Sequence, residues 1–303
     1  MTADEHHSDR AGLAAALATH AIWGSMPLYL LLVKSVPAVE FVAWRILVTL
    51  PLCAAIIAWR KAGDEVRAVL RDRKALLTLL ASATLVAVNW FLYVWAIDNG
   101  HVYAASLGYY ILPLTMMLLG LVVLGERLTR VQWWAVALAA CGVAALAAGA
   151  LTTLWVSLTL ALTFGLYGLL RKTVNAGPLA GLMVESLILA PFALATVGWF
   201  AAQSAGSAMA HGAPLAASVA LGGPMTAVPL ILFAFAARRL PYTVIGFLQF
   251  ISPTIVFLLG LFFFGEALKP AQLGCFVAIW CAALLFVWDM VRGTRAVPLR
   301  PAA

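Results

Sequence analysis

Two charged residues lie well inside long apolar segments, where charge is costly and commonly serves function. Arg45 lies a few residues into the second apolar segment, and Glu185 lies a few residues into the seventh. A guanidinium can clamp a substrate carboxylate, and a carboxylate facing it can form a gate that breaks and re-forms. A buried carboxylate can also carry a coupling proton. A permanent ion pair that fixes helix packing is the structural alternative, and the sequence leaves both interpretations open.

Further polar residues are candidates for lining a pocket that binds an amphipathic solute. Asn89 and Tyr93 are four residues apart, which places them on one face of a helix, and Gln249 also lies within an apolar segment. Tyr29 and Glu40 complete the set of binding or gating candidates, with Glu40 at the start of the helix that carries Arg45. Interhelical hydrogen bonding and interfacial aromatic belts are the alternative roles for such residues.

Prolines and acidic residues at other positions have more local interpretations. Pro113 and Pro253 interrupt apolar segments and are candidate hinges, because proline removes a hydrogen bond and kinks a helix. They could equally be static bends. Glu126 and Glu266 lie at segment ends, and each is expected to cap the N-terminus of the helix that follows it.

The sequence contains no pattern for metal, cofactor or nucleotide chemistry. Its four cysteines lie in apolar segments, and there is no CxxC or His/Cys cluster, so we expect neither a metal nor a cofactor. A GxxxxGK[ST] pattern is also missing, which argues against ATP hydrolysis by this chain. A membrane-embedded enzyme would need clustered His, Asp or Cys side chains, so we predict that the protein is not an enzyme.

The composition requires that these residues be held in a membrane. The chain has 303 residues, of which 64% are hydrophobic and 10% charged. A soluble domain has about 25% charged residues, so we exclude a nucleic-acid binder, a secreted disulfide scaffold and a disordered chain. Apolar runs of span length predict an all-α integral membrane protein with about ten transmembrane helices. They lie near 11–33, 38–59, 75–97, 103–124, 131–149, 151–170, 179–201, 216–237, 242–264 and 271–289.

The distribution of Lys and Arg predicts how the chain crosses the membrane. Lys34 and Lys269 lie in odd-numbered connections, and Arg45 lies within a span. The rest of the 19 Lys and Arg residues lie in the tails or in even-numbered connections, including Arg171 and Lys172. Positive charge stays in the cytoplasm, so we predict cytoplasmic tails at 1–10 and 291–303. Lipid-headgroup recognition by the basic 60–74 connection is an alternative use of its charge.

An internal repeat divides the chain into two halves. Residues 113–141 match residues 253–281 at ten of 29 positions, including proline, Gly-Glu and glutamine in register. We therefore predict two five-helix repeats, 11–150 and 151–290. Five crossings are an odd number, so the second repeat must be inverted, as in many secondary transporters.

The same 140-residue shift makes Arg45 and Glu185 equivalent positions. Each is expected about 10 Å from its own membrane face, which leaves about 10 Å between them along the membrane normal. Their side chains could span much of that gap if the two helices face each other.

Six ordered stretches resemble the RarD (chloramphenicol-sensitivity) branch of EamA transporters, in the drug/metabolite transporter superfamily. They are Trp23 to Tyr29, Asn89 to Ala96, Ser106 to Tyr110, Thr226 to Leu230, Ala236 to Leu240, and Gly265-Glu266. The resemblance covers nearly the whole chain. Two departures from the family pattern are Trp44-Arg45, where the family usually has His-Arg, and Gln249-Phe250, where it often has Gln-Tyr.

The resemblance implies a ten-helix carrier of the bacterial inner membrane, driven by an ion gradient or by exchange. With the repeat, it predicts a secondary active transporter of a small polar or amphipathic metabolite or drug-like solute. The expected partners are the substrate, the lipid bilayer and a coupling proton or counter-substrate, with no nucleic acid. A non-transporting membrane partner or receptor-like protein is the alternative. The family name does not transfer chloramphenicol to this chain as its cargo.

Overall fold

The computed structural model describes residues 3–265 and 270–295, and the regular secondary structure of these residues is helical throughout. Glu266, one of the two predicted capping glutamates, lies outside this part of the chain. The α-helices in chain order are α1 Ala3–Leu30, α2 Ala38–Trp59, α3 Gly63–Arg71, α4 Arg73–Asp98, α5 Val102–Val122, α6 Arg130–Ala147, α7 Leu154–Thr173, α8 Pro178–Ala201, α9 Ala213–Ala220, α10 Gly222–Ala237, α11 Tyr242–Leu248, α12 Ile251–Phe262 and α13 Pro270–Arg295.

Ten helical segments of the described chain are long and apolar enough to cross a membrane, as predicted. The second span coincides with its predicted bounds, and the others differ by a few residues at one or both ends. The α1 helix begins at Ala3 and so includes most of the predicted tail at 1–10. The short helix α3 is additional. It lies in the basic connection between the second and third spans, begins with acidic Asp64 and Glu65 and ends with basic Arg71, as the helix dipole favours.

Two spans consist of two helices each. The eighth is α9 and α10, divided at Leu221, and the ninth is α11 and α12, divided at Gln249-Phe250. Pro253 explains the second break, because it cannot donate a backbone hydrogen bond to the Gln249 carbonyl one turn earlier. The Ser252 amide donates to that carbonyl instead, at 3.2 Å. By contrast, α5 continues through Pro113.

The ends of the bundle are defined here by α3. Because the spans alternate in direction, the C-terminal ends of α2, α5, α7, α10 and α13 lie at the end that carries α3, called the α3 end. The C-terminal ends of α4, α6, α8 and α12 lie at the opposite end.

Helix packing follows the same pattern in both halves of the chain. The closely packed pairs α2–α8, α5–α11 and α6–α13 each join corresponding spans of the two halves. The pair α1–α10 likewise corresponds to the pair α4–α7. Small residues permit some of these contacts: a Cβ at Gly142 of α6 would lie 3.2 Å from the Cys275 carbonyl oxygen of α13.

Candidate functional site

The Arg45 side chain lies inside the bundle without an acidic partner. Its Nε donates a hydrogen bond of 2.6 Å to Thr226 Oγ1, and this bond joins α2 to α10. Its guanidinium carbon lies 5.1 Å from the centre of the Trp90 ring and 5.6 Å from that of Phe41. Within residues 3–265 and 270–295, no carboxylate oxygen lies within 4.0 Å of the guanidinium. The residue remains partly exposed, so its remaining N–H groups face open space.

Tyrosines surround the same guanidinium. Tyr29, Tyr93 and Tyr109 each lie close enough to Arg45 to interact with it electrostatically. Tyr93 and Tyr109 meet edge to face with ring centres 5.8 Å apart, and both are partly exposed. Tyr29 is more deeply placed and donates a 2.9 Å hydrogen bond to the Ser218 carbonyl of α9. We call this group the arginine cage: Tyr29, Phe41, Arg45, Trp90, Tyr93, Tyr109 and Thr226.

A glycine at the break of the eighth span makes room for the cage. A Cβ at Gly222 would lie 2.8 Å from Arg45 Cγ and 3.1 Å from both the Tyr29 hydroxyl and the Phe41 ring. Any larger residue must therefore displace one of these side chains.

An aromatic layer separates the cage from the α3 end. The Trp23 ring of α1 lies 5.5 Å from Phe164 of α7 and 5.6 Å from Phe233 of α10, and the latter two are 5.7 Å apart. These rings pack tilted or edge to face, the arrangement aromatic side chains favour.

Beyond this layer, Glu185 forms a buried cluster with Arg171. Arg171 Nε lies 3.8 Å from Glu185 Oε1, and both side chains are at most 3% exposed. Ser82 of α4 donates a hydrogen bond to the same carboxylate oxygen. Arg171 Nη2 donates to the Pro178 carbonyl at 2.8 Å. Gly181 is required here, because a Cβ at that position would overlap the Arg171 guanidinium.

Arg45 and Glu185 do not form the ion pair that the sequence left open as the structural alternative. The two helices that carry them, α2 and α8, do pack together, but each charged residue binds other partners. Arg45 lies near the opposite end of the bundle, whereas Glu185 lies near the α3 end. Arg171 is at the level of Glu185, because α7 continues to Thr173 beyond its predicted end at 170. Arg171 and Lys172, predicted to be connection residues, are thus part of a helix.

The sequence is similar to those of several bacterial proteins along nearly its whole length. The EamA-like transporter family matches residues 10–148. An uncharacterised transporter of Pseudomonas aeruginosa is 42% identical over 95% of this chain and 97% of its own. RarD proteins of Streptomyces exfoliatus and Escherichia coli are 40% and 35% identical, covering 95% and 94% of this chain and 92% and 97% of theirs. The chain belongs to the RarD branch of the EamA-like transporter family.

A solved crystal structure shares the fold of this RarD-branch chain. It has a TM-score of 0.71 over 91% of this chain and 97% of its own, at 16% sequence identity. With the ten apolar helices, this family membership makes the protein a multi-pass membrane protein.

Several predicted site residues of this RarD-branch chain bind other parts of the protein. Asn89 Nδ2 donates to the Leu160 carbonyl at 2.8 Å and to Thr163 Oγ1 at 2.9 Å, and so ties α4 to α7. Asn89 is buried and faces α7, whereas Tyr93 faces Tyr109 of α5. The two residues therefore do not line a common pocket, although they are one helical turn apart.

Glu40 has a similar bridging position at the opposite end. Its Oε1 accepts hydrogen bonds from Trp44 Nε1, Ser207 Oγ and the Ala208 amide at 3.2, 2.7 and 2.8 Å. The side chain is buried, and it joins α2 to the connection before α9. Glu40 does not enter the cage.

Gln249 and the hinge candidates Pro113 and Pro253 lie in the fourth and ninth spans. Gln249 is buried at the break between α11 and α12, and its Oε1 has no hydrogen-bond partner within the described residues. Pro253 lies just after this break, whereas Pro113 lies within an unbroken helix. Ser252 donates a 3.1 Å hydrogen bond to the His20 carbonyl of α1.

Glu126 caps a different helix from the one predicted. Its carboxylate accepts the Tyr242 and Thr243 amides at 2.6 and 2.8 Å, which are the first N–H groups of α11 in the second half. The following helix, α6, is capped instead by Thr129 and Gln132, which form a capping box. Glu126 therefore joins the two halves of the chain at the α3 end.

Phe41, Ser82, Trp90 and Arg171 are site residues that the sequence did not single out, whereas Tyr109 and Thr226 were visible only as polar residues within apolar segments. Trp90 and Thr226 belong to the stretches that resemble the family, so a signal for both was present. Arg171 had the appearance of a membrane-flanking residue, and its burial depends on the packing of α7 against its neighbours.

Proposed function

We propose that the protein is a secondary active transporter that moves a small polar or amphipathic solute across the cytoplasmic membrane by alternating access. The proposal rests on Arg45, whose partly exposed guanidinium has no acidic partner within the described residues. The side chain lies inside the bundle, between the two halves of the chain. Arg45 belongs to the first half and its hydrogen-bond partner Thr226 to the second. A relative movement of the halves therefore changes access to this side chain.

The proposed mechanism treats 11–150 and 151–290 as inverted five-helix repeats. Two features support a two-fold relation between them: the pair α1–α10 corresponds to the pair α4–α7, and α2 packs against α8. An inverted pair can open a central site to either side by equivalent movements.

The proposed orientation has both termini in the cytoplasm of a bacterial cell, with the protein in its inner membrane. The α3 end carries the basic 60–74 connection, whose Arg60 and Lys61 are exposed. Arg238 at the same end donates to the Val174 and Ala176 carbonyls, and burial together with Arg171 and Arg239 lowers the pKa of its guanidinium. Such a concentration of basic residues favours the cytoplasmic side.

Hydrogen bonds between the halves are the proposed gates. At the α3 end, Glu126 binds the start of α11 and Ser82 binds Glu185. At the opposite end, Glu40 binds Ser207 and Tyr29 binds the Ser218 carbonyl. Alternating access requires that each set break in one state of the cycle.

Cross-linking at either end tests this function. The native cysteines are replaced, and paired cysteines are placed at 126 and 243 for the α3 end or at 40 and 207 for the opposite end. Metabolites inside and outside overproducing cells are compared first to find a transported solute, and its flux is then measured in proteoliposomes. We expect a short thiol cross-linker to stop flux with either pair, because both ends must open in each cycle, and reduction of a cleavable linker to restore it.

Single-cysteine variants treated with the same reagent are the controls. Flux that continues with one end cross-linked would contradict alternating access. If overproduction redistributes no solute in cells and the purified protein moves none in vesicles, the results support the alternative of a membrane partner or receptor-like protein.

We further propose that Glu185 carries the coupling proton. Its carboxylate is buried against Arg171, so protonation would remove the charge that holds Arg171 and weaken the contact with Ser82. We expect the Glu185→Gln protein to keep counterflow exchange, which needs no gradient, and to lose proton-driven accumulation of the same solute. Accumulation that persists in this variant, or in a stable Arg171→Met/Glu185→Leu variant, would assign coupling to another group or to a counter-substrate.

A further inference from the structure

We infer that the arginine cage binds a carboxylate monoanion with an apolar, planar body. The inference rests on the proposed function, because it names the chemical class of the solute that the same site would carry. Four features of the cage support it: the free donors of Arg45, the charge balance around it, two tyrosine hydroxyls without a partner in the described part of the chain, and the aromatic faces.

The free donors of the guanidinium match a planar anion. Only Nε of Arg45 is engaged by a hydrogen bond within the described residues, and its acceptor, Thr226 Oγ1, is uncharged. The two terminal nitrogens keep their N–H groups, which form a planar fork that binds a carboxylate through two parallel hydrogen bonds. Trp90 and Phe41 lie within cation–π range of the guanidinium and so stabilise its charge without consuming those donors.

The charge balance favours one negative charge. Within the described residues Arg45 forms no ion pair, and its cage neighbours are phenols, aromatic rings and a hydroxyl, so the guanidinium is the one full charge of the cage. A carboxylate neutralises that charge. A phosphate monoester carries about −1.5 to −2 at neutral pH and would leave net negative charge in a poorly solvated interior, where such charge is costly.

Among the described residues, the cage offers no carboxylate to neutralise a free ammonium group. Glu40 is the carboxylate nearest to Arg45 along α2, but its Oε1 already accepts three hydrogen bonds from Trp44, Ser207 and Ala208. It is buried among those partners and forms no ion pair with Arg45 within the described residues. A solute with a net negative charge therefore fits this site better than a cationic one.

The remaining surfaces of the cage suit an apolar body. The hydroxyls of Tyr93 and Tyr109 have no hydrogen-bond partner within the described residues, and both residues are partly exposed. Their hydroxyls can donate to the second face of a bound carboxylate. The rings of Trp90 and Phe41, with those of the two tyrosines, offer flat apolar surface to the rest of the solute.

Binding of four related probes to the purified protein tests this inference. Phenylacetate is the monoanion, phenylacetamide its neutral analogue, phenethylamine a cation and phenyl phosphate a multiply charged anion. Each is added at millimolar concentration, and the thermal unfolding temperature and the dissociation constant are measured. We expect phenylacetate to raise the unfolding temperature and to bind at least about tenfold more tightly than each of the other three, the ratio expected for loss of a charge-assisted hydrogen bond.

Matched arginine variants assign any binding to the cage. We expect Arg45→Gln to lose phenylacetate binding and Arg45→Lys to keep part of it, since lysine retains the charge without the planar fork. Arg239→Gln is the control, because Arg239 is exposed at the α3 end and also stacks on an aromatic ring, 3.4 Å from the centre of Phe235. If Arg45→Gln fails to fold, phenylacetate binding is compared between the unmodified protein and Arg45→Lys.

Several results would overturn the inference. These are equal binding of phenylacetamide, tighter binding of phenyl phosphate, unchanged phenylacetate binding by Arg45→Gln, or no binding of phenylacetate and of a wider set of aliphatic and aromatic monocarboxylates. Binding in detergent requires no turnover, so it is independent of the carrier proposal. Arg45-dependent flux of a neutral or cationic solute would refute the anion inference but support the carrier proposal. Carboxylate binding without flux would support the anion inference but contradict the carrier proposal.

Discussion

Replacement of Arg171 by methionine is expected to destabilise the folded protein by about 3–5 kcal/mol, the cost of removing one partner of a buried ion pair. Glu185 would keep its hydrogen bond from Ser82 but lose the positive charge that neutralises it. The variant should unfold at a markedly lower temperature in detergent, measured by tryptophan fluorescence or by loss of the monodisperse peak in size-exclusion chromatography.

Two further variants are the controls for this loss of stability. Arg67→Met breaks an ion pair with Asp64 of 3.0 Å, but both side chains are more than 70% exposed, so we expect a loss of only about 0–1 kcal/mol. The double variant Arg171→Met/Glu185→Leu removes both buried charges and should recover most of the stability lost by Arg171→Met. Similar losses for Arg67→Met and Arg171→Met would show that the buried pair has no special structural role.

Replacement of Gly222 by alanine is expected to weaken substrate binding by about tenfold or more, with a loss of stability of about 1–3 kcal/mol from overpacking. The new methyl group would lie within 2.8 Å of Arg45 Cγ and must displace Arg45, Tyr29 or Phe41. Transport of the identified solute and its dissociation constant are the quantities to measure.

Gly198→Ala is the matched control for this substitution. Gly198 lies in α8, and a Cβ there would have nothing within 4 Å. Alanine is the better helix former by about 0.5–1 kcal/mol, so this variant should be slightly more stable and transport normally. Unchanged binding by Gly222→Ala would mean that the position of Arg45 at this site does not limit recognition.

The ten spans could be predicted from sequence because the bilayer imposes a simple requirement. A helix must present about 20 apolar residues to cross it, and the run at 38–59 satisfies this so clearly that the observed α2 has the same bounds. The ninth span breaks next to Pro253, a candidate hinge, whereas the break of the eighth span at Leu221 was not predicted. Pro113 occupies the corresponding repeat position in an unbroken helix, so proline alone does not decide whether a helix divides.

The candidate site residues could be identified in part from the sequence, but their interaction partners could not. Arg45 and Glu185 were recognisable from sequence because charge within an apolar run requires a reason. They do not pair with each other, because Arg171 of the neighbouring α7 lies at the level of Glu185, 3.8 Å from its carboxylate. Asn89 and Glu40 had the chemistry of site residues, but each binds backbone or hydroxyl groups of a neighbouring segment.

Composition and periodicity show which segments are apolar enough to lie in lipid. The ten membrane helices and the membrane class therefore follow from the residues alone. The arginine cage depends on where α1, α2, α4, α5 and α10 meet, and the Glu185 cluster depends on the rotation of α7 and α8. These arrangements arise from interhelical packing between residues such as Arg45 and Thr226, which are 181 positions apart. Lipid solvates every apolar face alike, so hydrophobicity cannot select these neighbours, and shape and hydrogen bonding must do so.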